Sequence, residues 1–199
     1  KNNPLAQEYD LVDKFVALYA GNIGLSQSFD TLLEVAERLQ DEADVVFLII
    51  GDGARRQEIE TLVKNRNLTN VMMLPYQPRS RVPEIYATGD LGLVPLMTGT
   101  ATTTLPSKLY SIMATGCPAL VAVDHESDIV QTVAEAQCGV AIPPDDADAL
   151  EAAIRQAYTN QDTFKTYGEN GRRYAVENYS RSVIAEKYHT LINSLSKNN

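Results

Sequence analysis

Apolar residues fall in six short, evenly spaced runs: FVALYAG (15–21), VVFLIIGDG (45–53), VMMLPY (71–76), LGLVPL (91–96), PALVAV (118–123) and GVAIP (139–143). Each is continuously apolar rather than alternating, the pattern of strands covered on both faces. Between the runs the period changes. Leu32, Leu33, Ala36 and Leu39 repeat through 28–39, and Ile59, Leu62 and Val63 through 55–64. Val82, Ile85 and Tyr86 mark 79–87, and Leu109, Ile112 and Met113 mark 106–114. Segments 128–136 and 146–158 complete the set. Such spacings predict helices with one buried stripe each. Strands alternating with helices predict an α/β fold, a Rossmann-like six-stranded parallel sheet with helices on both faces and right-handed crossovers. Two further helices close the chain, the last carrying an apolar stripe of Ile184, Tyr188, Leu191 and Leu195. The polar lead-in KNNPLAQEYDLVDK (1–14) reads as a linker or hinge remnant of something longer, ahead of a domain at 15–195.

Composition narrows the function. Hydrophobic residues make up 44% of the 199, enough for a sizeable core. The net charge of −9, from 17 Lys+Arg against 26 Asp+Glu, argues against nucleic-acid binding, which needs phosphate neutralisation. Two cysteines, Cys117 and Cys138, and two histidines make no metal-ligand spacing, so the cysteines read as buried reduced thiols rather than a disulfide or a ligand pair. No run approaches the ~20 apolar residues of a membrane span. With no signal peptide at the start, a cytoplasmic location is expected.

In open α/β sheets ligands bind beyond the carboxyl ends of the strands. The loops there are GNIGLSQS (21–28), GDGARR (51–56), PYQPRS (75–80), GTATTTLPSKLYSIMATG (99–116) and DHESD (124–128). Gly21 and Gly24 permit close backbone approach, but GNIG lacks the GxGxxG spacing of a dinucleotide cofactor site. The stretch 99–116 says more. Lys108 is the only charged side chain between Leu91 and Val123. Pro106 favours a first helical turn, Thr103 and Thr104 are candidate caps, and the free N–H groups of such a turn form an anion site. Lys108, two residues into that helix, adds a full charge, which points to a diphosphate. The alternative is a solvated threonine loop with an exposed surface lysine. Asp52 is either a site residue or a turn residue capping the next helix. His125, on the ligand edge, is more often a loop residue than a catalyst.

TLPSKLYSIMATGCPALVAV, following a strand, resembles the donor-binding motif of retaining glycosyltransferases with the GT-B fold, family 4 in particular. GNIGLSQSFDTLLEVAERL, IIGDGARRQEIE, VMMLPYQPRSRVPEIYATGDLGLVPL, QCGVAIPPDDADALEAAI and ENYSRSVIAEKYHTLI resemble the family's other units in the same order, over nearly all of 15–195. The resemblance implies the C-terminal, nucleotide-sugar-binding half of a two-domain enzyme of hexosyltransferase type, the N-terminal acceptor half being absent. It places the donor diphosphate near Thr104, Leu105 and Ser107, with Gly21 in the first loop and Lys108 as the candidate catalytic cation. Leu74 and Tyr76 fall where the base is read, largely by backbone. Where the family has two glutamates this chain has Thr103 and Ser111, and where it has an arginine and a lysine in the first loop this chain has Asn22 and Gln27. Lys108 is the candidate replacement for those cations; a decayed site, or one for a different nucleotide, is the other reading. No metal or other cofactor is implied. The expected partners are a nucleotide-diphosphate sugar (uridine or guanosine) and the missing N-terminal half, through which the protein would touch the cytoplasmic membrane face during polysaccharide or lipid-linked glycan assembly. Two competing readings are a binding domain without activity of its own and a fragment of a GT-B sugar-nucleotide epimerase.

Overall fold

In a computed structural model, residues 1–100 and 107–196 are described, with side chains to 193. Six strands, β1 (Phe15–Ala20), β2 (Val45–Ile50), β3 (Val71–Leu74), β4 (Leu91–Pro95), β5 (Ala119–Ala122) and β6 (Gly139–Ile142), form one sheet in the order β3-β2-β1-β4-β5-β6. Every pairing is parallel, from Phe15↔Val45 through Ala20↔Ile50 on one side of β1 to Ala17↔Leu91 on the other. The sheet is therefore the α/β, Rossmann-like arrangement that the apolar runs predict. The chain leaves β1 in both directions, so the switch point lies between β1 and β4.

The helices are α1 (Pro4–Glu8), α2 (Phe29–Arg38), α3 (Arg56–Asn65), α4 (Val82–Thr88), α5 (Lys108–Thr115), α6 (Asp128–Ala136), α7 (Ala147–Thr159), α8 (Gln161–Tyr179) and α9 (Arg181–Ser196), with a 3-10 turn at Arg79–Arg81. Successive strand residues enter opposite cores, which explains the unbroken apolar runs. Phe15, Ala17, Tyr19, Phe47 and Ile49 meet Phe29, Leu32 and Leu33 of α2, Ile59 of α3 and Ile154 of α7. Val16, Leu18, Leu48 and Ile50 face the other way, toward Leu5 and Ala6 of α1 and Ile85 of α4. On that same side Val94 and Val121 pack with Ile112 and Met113 of α5 and Val133 of α6.

Two expectations are revised. The lead-in 1–14, read as a linker, contains α1, capped by Asn3, whose Oδ1 accepts from Ala6 N at 3.1 Å. Leu5, Ala6 and Leu11 are fully buried, so these residues belong to the core. The helix expected from Pro106 begins at Lys108 instead, after Ser107, which has helical dihedrals and no side-chain cap bond. On α9, Tyr188 and Leu191 of the apolar stripe are more than half exposed and Ile184 is partly buried. Cys117 and Cys138 are free and buried, and burial pushes their thiols up to about 12 and about 11.

Candidate functional site

The carboxyl end of β1 is closed by glycine contacts. Gly21 N donates to Ile50 O at 2.9 Å, and a Cβ on Gly51, at φ +157, would stand 1.8 Å from the Gly21 carbonyl oxygen. Only glycine lets these two loops meet backbone to backbone. Ile23 N donates to Asp52 O at 2.8 Å and Arg55 N to Ile23 O at 3.0 Å, joining the loops further.

Lys108 is the first residue of α5, yet its side chain crosses the switch point to β1. Its Nζ donates to the Tyr19 hydroxyl at 2.9 Å and lies over the Tyr19 ring, 4.4 Å from the centroid. Its stem covers Gly21, where an added Cβ would stand 2.6 Å from Lys108 Cε. The surface-lysine alternative is thus excluded. Removal from water pulls its pKa down to about 8. No carboxylate pairs with it among the described residues. Tyr19 is fully buried and stacks edge-on against Phe29 at 4.9 Å. Its own hydroxyl donates to the Asn22 carbonyl, which leaves a lone pair facing the ammonium. Burial holds the phenol protonated, with its pKa well above the ordinary range.

The other cations of this edge are committed. Arg55 pairs with Asp30 and Glu58 at 2.8 and 2.6 Å. Arg56 pairs with Glu60 at 2.8 Å and donates to the Gly51 and Leu74 carbonyls. Lys108 is therefore the cation beside the first loop that carries no anionic partner among the described residues.

The remaining candidates divide. Gly21, Asn22 and Lys108 come together at the end of β1; Asn22 is exposed. Gln27 is buried, its Oε1 accepting from Gly24 N at 2.8 Å and its Nε2 donating to Ser26 Oγ, so it braces the loop instead of facing a ligand. Asp52 Oδ1 accepts from Gly53 N at 2.8 Å; it closes the turn and does not cap α3. The Leu74 carbonyl already accepts from Gly51 N at 3.1 Å and from Arg56 at 3.0 Å, so the base-reading role expected there would fall to the backbone beyond it. Tyr76 is 58% exposed at the rim. Ser111 is exposed on α5, one turn on from Lys108, and Ser107 is exposed beside it. Thr103, Thr104, Leu105 and Pro106 lie outside the described residues. His125 lines a cleft of about 370 Å³ beyond β5 and β6, with Thr98, Val130 and Pro143. Among the described residues no cluster of three or more His, Cys, Asp or Glu could hold a metal, and no helix is long and apolar enough to cross a membrane.

Sequence reasoning missed three residues. Tyr19 was legible in part: an aromatic two residues before the strand-ending Gly21 has a hydroxyl that must find a partner when buried. Asp145 accepts from Ser28 Oγ and from Thr98 N, the latter at 2.9 Å, and Asp124 accepts from Gly99 N at about 3 Å. Together they pin the start of the β4–α5 loop to neighbouring loops. Only the fold brings them there.

A family model described as "Glycosyl transferases group 1" matches residues 5–174. The chain belongs to this family. The glycosyltransferase domain is 36% identical over 156 residues to the putative colanic acid biosynthesis glycosyl transferase WcaI of Escherichia coli K12, covering 77% of this chain and 38% of that protein. It is 25% identical over 182 residues to the probable glycosyltransferase WbjE of Pseudomonas aeruginosa, covering 92% and 45%. The chain thus spans less than half the length of these relatives. Among solved structures, Anabaena HepE in complex with UDP-glucose superposes with a TM-score of 0.78 at 16% identity, over 96% of this chain and 51% of that one. The catalytic domain of Helicobacter pylori cholesterol-α-glucosyltransferase gives 0.69 at 16%, over 85% and 100%. These likenesses establish the GT-B type of fold.

Proposed function

We propose that this domain binds the diphosphate of a nucleotide-diphosphate sugar across the β1–β4 switch point, as the donor-binding part of an enzyme that transfers the sugar to a glycan or lipid-linked acceptor. One observation carries the reading: Lys108 reaches over Gly21 to the end of β1 and stands there without a countercharge among the described residues. An uncompensated, half-buried cation on the ligand edge is expensive unless an anion completes it. The first turn of α5, whose N–H groups have no acceptor within the helix, adds a second attraction for the same anion. The structural relatives crystallised with UDP or UDP-glucose support uridine as the nucleoside.

In transfer, negative charge grows on the diphosphate as the sugar–oxygen bond breaks. A fixed ammonium aimed at that oxygen stabilises the charge without reorganising. Asn22, exposed in the first loop, would be a second donor to the same group. The acceptor is held by a second domain beyond this chain, and action at the cytoplasmic membrane face accords with a nucleotide-sugar donor. This chain alone binds donor without turning it over, a reading favoured by its span of under half of its relatives.

The test compares UDP with uridine by calorimetry on this chain. UDP is expected to bind with a Kd of ~10 μM to 1 mM. Lys108→Met should weaken UDP at least about tenfold, the scale of a charged hydrogen bond, and leave uridine nearly unchanged. Equal losses for both ligands, or none for either, would dismiss the reading.

A further inference from the structure

We propose that Tyr19 is a positioning residue for Lys108, holding the ammonium over the end of β1 so that it is already aimed when an anion arrives. The inference rests on the diphosphate reading and adds to it a residue that meets the ligand only through the lysine.

A lysine on a surface helix normally keeps four rotatable bonds free, and fixing them on binding costs affinity. Here three contacts fix them beforehand. The stem lies against Gly21, which has no side chain to push it away. The ammonium sits on the face of the Tyr19 ring, where the π-electrons attract it. It also donates to the Tyr19 hydroxyl, whose own hydrogen is spent on the Asn22 carbonyl. The result is a relay, Lys108 to Tyr19 to Asn22, that ties α5, β1 and the first loop together at the switch point. Tyr19 itself cannot shift, being fully buried against Phe29.

The seat holds the lysine without neutralising it. A carboxylate in place of Tyr19 would hold the ammonium as firmly, but it would repel a diphosphate. A phenol whose burial keeps it protonated offers a lone pair and a π-face with no net charge. Among the described residues the other ionisable groups near this end of the sheet do not pair with Lys108. Tyr76 and Tyr86 are phenols, Arg56 is paired with Glu60, and the Asp52 carboxylate accepts from the Gly53 amide.

The experiment is a double-mutant cycle on UDP affinity, with uridine as control. Tyr19→Phe keeps the ring and removes the hydroxyl. It is expected to weaken UDP three- to tenfold, leave uridine unchanged, and have no further effect in the Lys108→Met background. Loss of the Asn22 contact alone would persist in that background, so an equal effect of Tyr19→Phe with and without Lys108 would reduce Tyr19 to a structural residue. If Lys108→Met loses UDP affinity and Tyr19→Phe does not, the positioning role fails while the diphosphate reading stands; if Lys108→Met loses nothing, both fail. A second measurement needs no Tyr19 variant. The Lys108 ε-methylene protons, assigned by their absence in Lys108→Met, should show an upfield ring-current shift in the wild-type NMR spectrum, and the shift should survive saturation with UDP. An unshifted signal, or one that returns to the ordinary position when UDP binds, would overturn the proposal.

Discussion

Lys108→Met, expected above to weaken UDP binding, should make the empty fold more stable at neutral pH. Burial lowers the lysine from its ordinary 10.5 to about 8. Between those values the unfolded chain holds a proton that the folded chain has released, so folding stability rises with pH across that window. Below about 8 both states are protonated and the whole cost of keeping the ammonium out of water is present. The difference between the two values corresponds to ~3 kcal/mol as an upper bound. Two terms reduce it: the side chain is only half-buried, and methionine forfeits the ammonium contact with Tyr19, worth ~0.5–2 kcal/mol. A net gain of about 1 kcal/mol remains, which for a chain of this size raises Tm by ~2–4 °C. Thermal and urea unfolding of both proteins at pH 7 and about pH 10 would measure it. The wild type should gain on the variant as pH rises, and the gap should shrink. A variant that is less stable at pH 7, by a margin that pH does not alter, would refute the claim that Lys108 is a desolvated cation awaiting a partner.

Two other outcomes are expected. Leu5→Ala should cost ~2–5 kcal/mol, the range for emptying a filled core position, seen as a lower urea midpoint with an unchanged slope; a loss below about 0.5 kcal/mol would return residues 1–14 to linker status. Ser111→Glu should tighten UDP and uridine alike, since a carboxylate one turn beyond Lys108 can accept from ribose hydroxyls by charge-assisted bonds; if it weakens UDP more than Ser111→Ala does, the ribose is not held at that turn.

The inner strands were legible because they are buried on both faces, so that 15–20, 45–50 and 91–95 stand out without any knowledge of partners, while the edge strands β3 and β6 are only partly covered. α1 was not, because five residues are too few to show a period, and Leu5 and Ala6 stand among polar neighbours whose exposed side hides the buried one. The site divides by the same rule. That Lys108 is solitary is a property of the sequence. That it rests on Tyr19 depends on α5 following β4 and on β4 lying beside β1, which local pattern cannot encode. Gln27 misled for a related reason: an amide standing where a cation is expected looks like a weakened ligand contact until its bond to Gly24 is seen.

The backbone contact between Gly21 and Gly51 bears on how such domains can diversify. With no side chain between them, the first two loops form a single part: lengthening one, or giving it a Cβ, displaces the other. Recombination between relatives would have to carry both loops together, whereas Tyr76 and Ser111, exposed around this part, can vary one at a time. Altered donor preference should therefore arise by substitution at the rim, while the paired glycines pass unchanged from one variant to the next.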